Sequence, residues 1–200
     1  IEAINVDEKG YPKENLCIGK VHKYVQFKLK EKDGDKLIFS RKDVQQEVLN
    51  SVKTDLKVGD NIKGIVKNIT PYGAFIDIGG GVVGLAYIED LSVARIKTPC
   101  ERLKIGQNVN IVVKSINRET GKISLSYKDT LGTWEENAKR FSVGMNTKGI
   151  IRETEKNKNG IFIELTPNLV GMAEYKEGLK YGEKVDLYIK KLDYDKKKVK

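Results

Sequence analysis

Three aromatic residues set among glycines raise the first chemical question. The stretch PYGAFIDIGGGVVGLAYIED, residues 71–90, holds Tyr72, Phe75 and Tyr87 with five glycines and β-branched residues between them. Rings displayed on a surface can stack unpaired nucleobases, each stack contributing about 1–3 kcal/mol. The cations Lys63, Lys67, Arg95, Lys97 and Lys114 could draw phosphates towards those rings. A competing reading is a local hydrophobic contact with a loop or a neighbouring unit, and the pattern alone leaves both open.

Catalytic chemistry finds little to work with. The single histidine, His22, lies in a strand-like run and reads as a surface residue, so there is no His pair for metal or base chemistry. Cys17 and Cys100 are too few and too scattered for a disulfide framework or a zinc site, which fits a reducing, cytoplasmic compartment. Cys100 has no histidine nearby in sequence to activate it. Asp193 and Asp195 sit in a Lys-rich hairpin turn and read as a solvated loop in preference to a metal site. We expect no enzyme, no cofactor, no metal and no small-molecule substrate. No apolar run approaches the roughly 18 residues a membrane span requires, so no membrane partner is expected either.

The elements that must position these residues repeat. LKVGDNIKGIVKNI (56–69) returns as FSVGMNTKGIIRET (141–154), GAFIDI (73–78) as GIFIEL (160–165), and VGLA (83–86) as VGMA (170–173). KIGQNVNIVVKSINRETGKISLSYKD (104–129) resembles both residues 17–43 before it and 180–200 after it. The chain thus divides into three units: 1–43 as the C-terminal part of a first repeat, 56–129 complete, and 141–200 divergent and stopping inside its last strand. Residues 44–55 and 130–140 read as helical linkers. Val44, Val48, Leu49 and Val52 share one face of the first. Thr133 to Glu136 has capping-box spacing and starts the second, through Arg140. Trp134 there could stack a base, but packing against the neighbouring barrel is the preferred reading.

The complete unit predicts five strands: NIKGIVKNI, GAFIDIG, VGLAYI, NVNIVVKSIN and KISLSYK. Arg118-Glu119-Thr120-Gly121 makes the last hairpin, and residues 89–107 form a longer connection with a helical turn. Closing on themselves, five such strands suggest an all-β OB-type barrel. Alternation then places Ala74, Ile76 and Ile78 inward and Phe75 and Asp77 outward, because an unpaired carboxylate is costly to bury. The third unit repeats the pattern, with Phe162 and Glu164 outward. Tyr87 shares parity with Leu85, which argues against its exposure unless the strand ends there. Excess positive charge is modest: +1 over 1–55 and +4 each over 56–129 and 141–200, a footprint for nucleic acid or another acidic partner.

The middle unit resembles the S1 domain family, the RNA-binding OB-fold module. The resemblance rests on VGDNIKGIVKNITPYGAFIDIGGGVVGLAYIEDLS followed by LKIGQNVNIVVKSINRETGKISLSYKD, with the family's steps in order. The tandem arrangement resembles bacterial ribosomal protein S1 and related multi-repeat proteins. The resemblance implies tandem barrels joined by short helical linkers and single-stranded RNA as partner, bound with low sequence specificity in translation or RNA metabolism. By position it implies an RNA surface of Tyr72, Phe75, Tyr87, Asn117 and Lys122, with Arg118 beside them; Lys67 and Arg95, by their charge, and Phe162, by the repeat, are further candidates. Tyr87 stands where the family often has histidine. In the third unit Asn159 replaces Tyr72 and Glu174 replaces Tyr87, which implies weaker RNA binding or a protein-contact role. Two other functions stay open: docking to the small ribosomal subunit or another protein through the degenerate repeats, and service as the RNA-binding accessory of an RNA-processing enzyme.

Overall fold

The computed structural model describes residues 22, 24–153 and 160–200. At its centre is a closed barrel of five strands: β3 (Asn61–Thr70), β4 (Gly73–Gly79), β5 (Val82–Tyr87), β6 (Asn108–Asn117) and β7 (Lys122–Ser126). Their order around the barrel is β3-β4-β5-β7-β6. All neighbours are antiparallel except β5 and β7, which close the barrel in parallel through two residue pairs, Leu85 with Ser124 and Ala86 with Leu125. This is the OB-type order the strand pattern predicted. Val66, Ala74, Ile76, Ala86, Ile111, Val113 and Leu125 fill the interior with no exposed surface. They are alternate residues of their strands, so the opposite residues of each strand must face out.

Before the barrel stands an exposed hairpin, β1 (Lys28–Asp33) and β2 (Lys36–Ser40), running directly into a helix, Arg41–Thr54. The Ser40 hydroxyl accepts the Asp43 N–H at 3.1 Å and caps that helix, so it begins three residues earlier than its apolar spacing predicted. Val48 packs against the barrel's core cluster; the side chains of Leu49 and Val52 lie outside the described residues. His22 differs from expectation. It sits exposed in a turn with φ 59°, not in a strand, and Cys17 and the strand predicted around it lie outside the described residues.

After the barrel, Thr133 and Glu136 form the expected capping box on a short helix, Trp134–Ala138, which ends two residues before Arg140. Trp134 meets Tyr194 edge-on at 5.5 Å and joins a cluster with Ala138, Leu169, Ile189 and Val199. The linker tryptophan is therefore a packing residue for the third unit. That unit is built on a four-stranded sheet of β8 (Asn146–Ile151), β9 (Ile161–Thr166), β10 (Leu169–Ala173) and β11 (Lys184–Tyr188), arranged β10-β9-β8-β11. A two-stranded hairpin, β12 (Leu192–Asp193) and β13 (Lys198–Val199), completes it, and Val199 lies 3.4 Å from where a side chain on Gly171 would begin.

The middle and third units share their internal hydrogen bonds. Gly59 N–H donates to the Val113 carbonyl at 2.8 Å, and Gly144 N–H to that of Ile189 at 2.9 Å. Gly106 N–H donates to Val66, and Gly182 N–H to Ile151, both at 2.8 Å. Gly64 and Gly149 match as well. A Cβ at either would fall 2.5 Å from an isoleucine methyl, Ile76 Cγ2 or Ile163 Cγ2. The repeated Gly-Ile pair thus marks where the first strand crosses the second too closely for any side chain.

Candidate nucleic-acid interface

On β4 the alternation is sharp: Ala74 and Ile76 are wholly buried, while Phe75 between them lies half-buried on the outer face. Tyr72, in the turn before β4, is 53% exposed and meets Phe75 edge-on, centroids 6.2 Å apart. Tyr87, 42% exposed, lies opposite Gly73 in the β4–β5 ladder. The ladder is extended when Ile88 N–H donates to the Tyr72 carbonyl at 2.9 Å. Two strand ends therefore bring three rings to one edge of the barrel face.

Leu85 corrects the parity argument. It pairs with Phe75 and shares the outer face with Val83 and Tyr87, while Gly84 and Ala86 point in. Parity with Leu85 therefore favours the exposure of Tyr87. A row crosses the face through Asn68, Phe75, Leu85, Ser124 and Ser115, each paired with the next. Asn68, Leu85, Ser124 and Ser115 had no motif to mark them; only the register between strands reveals them.

The polar candidates are more dispersed. Asn117 and Lys122 are directly opposed across the last hairpin. Asn117 Oδ1 accepts the N–H groups of Glu119 and Thr120 at 3.1 and 2.8 Å, so it shapes the turn. Arg118 bends away and donates to the Leu56 carbonyl at 3.3 Å. Since Ser124 lies beside Leu85, Lys122 comes level with Val83, four strand positions and roughly 13 Å from Tyr87. The hairpin cations thus occupy the far end of the face from the rings, and the strand direction joins the two.

Other cations are already engaged. Lys114 contacts both oxygens of the fully buried Asp90, at 2.8 and 2.9 Å, and Lys128 adds a third contact at 3.4 Å. These contacts hold Lys114 protonated above its ordinary range, chiefly through the hydrogen bond to Asp90. Lys114 thus braces a buried acid while its own side chain stays half exposed. Lys67 lies in a β-bulge, 3.6 Å from Asp77, so the outward carboxylate is partnered. Lys63 and Lys67 line a cleft of about 580 Å³ with Tyr24, Arg41, Asp77 and Gly80. Arg95 is largely exposed, with Glu153 at 3.9 Å, while Lys97 lies over the Tyr181 ring, 4.3 Å from its centroid.

In the third unit Phe162 is exposed, but on a different sheet from the three rings. Glu174, where Tyr87 would stand, pairs with Lys190 at 3.3 Å; Asn159 lies outside the described residues. Glu164 overturns the expectation of an outward, solvated acid. It is 4% exposed, held by Arg102 and Arg152 at 2.5 Å each. Its partner Arg102 belongs to the middle unit, 62 positions earlier, so no local pattern could announce the contact.

Residues 55–128 match the family described as the S1 RNA binding domain, over the whole barrel just described. The middle unit is an S1 domain. Among curated proteins the chain is 40% identical over 161 residues to small ribosomal subunit protein bS1 of Staphylococcus aureus (strain MRSA252), covering 76% of this chain and 40% of that protein. It is 31% identical over 182 residues to the bS1 of Chlamydia muridarum, covering 84% of this chain and 32% of that protein. The chain thus spans less than half the length of these relatives. Among solved structures, the solution structure of GSP13 from Bacillus subtilis is 32% identical over 40% of this chain and 61% of that one, with a TM-score of 0.38. Among the described residues no helix is long and apolar enough to cross a membrane.

Proposed function

We propose that the S1 domain of this chain binds single-stranded RNA with little sequence preference, within a longer protein acting in translation or RNA metabolism. The observation that carries this reading is the cluster of Tyr72, Phe75 and Tyr87 on the outer face of a barrel whose interior is already full. Rings that contribute nothing to the core are free to stack unpaired bases, which a duplex does not offer. Lys63, Lys67, Arg95 and Lys122 are the cations proposed to supply the phosphate attraction; Lys122, Arg118 and Asn117 lie at the far end of the face from the rings. The relatives' name makes the small ribosomal subunit the proposed larger partner and the cytoplasm the proposed location. We read the chain as having no catalytic centre of its own. RNA cleavage with turnover that survives repurification would overturn that part.

The test is a binding titration against single-stranded RNA, single-stranded DNA and duplex, across salt concentrations. Affinity should fall by about 0.7 decades per decade of salt for each phosphate engaged. Tyr72→Ala with Phe75→Ala should weaken single-strand binding by tenfold or more and leave that slope nearly unchanged. Equal affinity in the double variant would refute stacking.

A further inference from the structure

The repeat sets the same ion pair at the same point of two units. Lys67 follows Gly64-Ile65-Val66 as Arg152 follows Gly149-Ile150-Ile151, and Asp77 stands two residues after Phe75 as Glu164 stands two after Phe162. In both units the bulge or strand-end cation meets the strand acid: Lys67 to Asp77 at 3.6 Å, Arg152 to Glu164 at 2.5 Å.

Their surroundings differ. In the third unit the pair is buried, Arg152 being 6% exposed, beneath Glu101 and Arg102 of the S1 domain. The four charges alternate as Glu101, Arg152, Glu164, Arg102, and each unit supplies one acid and one base. Buried charges hold only where each is matched and hydrogen-bonded. Here Tyr181 donates its hydroxyl to Glu101 at 2.9 Å and accepts from Arg152 at 3.2 Å. The turn presenting Glu101 is stiffened by Pro99 and a full capping box from Thr98. Around this network the Pro167 carbonyl accepts from the Ser92 hydroxyl and from the N–H groups of Val93 and Ala94, at 2.9, 3.2 and 3.3 Å. Asn168 Nδ2 donates to the carbonyls of Lys128 and Gly132 at 2.6 and 2.9 Å.

We infer that the cation–acid pair on the first two strands of the third unit is a docking socket that holds this unit rigidly against the S1 domain before it, and that its partner is the Pro-x-Glu turn of that domain. In the third unit the socket is filled by Pro99-Cys100-Glu101-Arg102. The filled face of β9 is the counterpart of the face on which β4 displays Phe75. Docking therefore covers the Glu164 end of that face, leaves Phe162 exposed, and makes the third unit a brace.

Backbone NMR relaxation on the full chain tests the filled joint without any RNA, so its outcome is separate from that of the RNA titration. The S1 domain and the third unit should share one rotational correlation time. Glu101→Gln with Arg102→Ala strips the turn while leaving Arg152 and Glu164 paired; it should give two shorter correlation times, with dispersed spectra from both units. Separate times in the unaltered chain, or one unchanged time in the variant, would overturn the inference. Should the variant unfold either unit, residual dipolar couplings of the unaltered chain decide: one alignment tensor for both units supports the socket, two tensors refute it.

Discussion

Phe75 and Ile76 are adjacent in the chain and live in opposite environments, one half in solvent and one fully enclosed. That division was legible because Asp77 fixes which parity faces water and alternation carries the answer back to Phe75. Leu85 was not legible, because an apolar residue beside an aromatic one reads as core unless the register is known. The bracing role of Lys114 was not legible for a related reason. Its partner Asp90 lies 24 positions away, and nothing in sequence says that this acid is buried. Replacing Lys114 should therefore act on stability. Lys114→Met leaves Asp90 with only the 3.4 Å contact to Lys128, and should cost about 1–3 kcal/mol. Chemical denaturation should reveal that loss, while affinity for single-stranded RNA stays unaltered. A weakened affinity with unchanged stability would make Lys114 a phosphate contact and not a brace.

Strands were the most readable elements. Periods of two, bounded by glycine turns, located all five strands of the S1 domain to within a residue or two. The glycines that repeat between units have a common steric origin at Gly64 and Gly149, where the second strand leaves no room for a Cβ. Alanine at either position should force the strands apart and cost about 1–3 kcal/mol. Thermal unfolding of Gly64→Ala and Gly149→Ala should register that loss in each case; a neutral result would mean the crossing can relax. The first linker helix was placed late because its cap, Ser40, belongs to the end of a strand. Apolar spacing reports where a helix packs, not where its first free N–H groups are satisfied.

At the scale of the whole molecule, the joint between the second and third units was invisible in sequence, since Glu101, Arg102, Arg152 and Glu164 become neighbours only after both units fold. The joint should respond to acid. Burial alone would raise the Glu101 carboxyl, but the Lys97 N–H, the Tyr181 hydroxyl and Arg152 outweigh it and hold the group below its ordinary value of 4.5. A depressed carboxyl contributes stability that is fully present above that ordinary value and is lost as pH falls through the folded one. A pH series of relaxation measurements should find the units coupled at neutral pH and uncoupling only under acid, below about pH 4.5; uncoupling above it would contradict the assignment. The barrel's closure carries a different consequence. Its parallel seam is only two residue pairs long, so this is where the wall should breathe first. Leu85 sits on that seam beside Phe75, so a ligand lying over the rings would staple it shut. Hydrogen exchange at Ala86 and Leu125 should then slow on adding RNA more than exchange along β3 and β6, making the weakest stitch of the barrel a reporter of what lies across it.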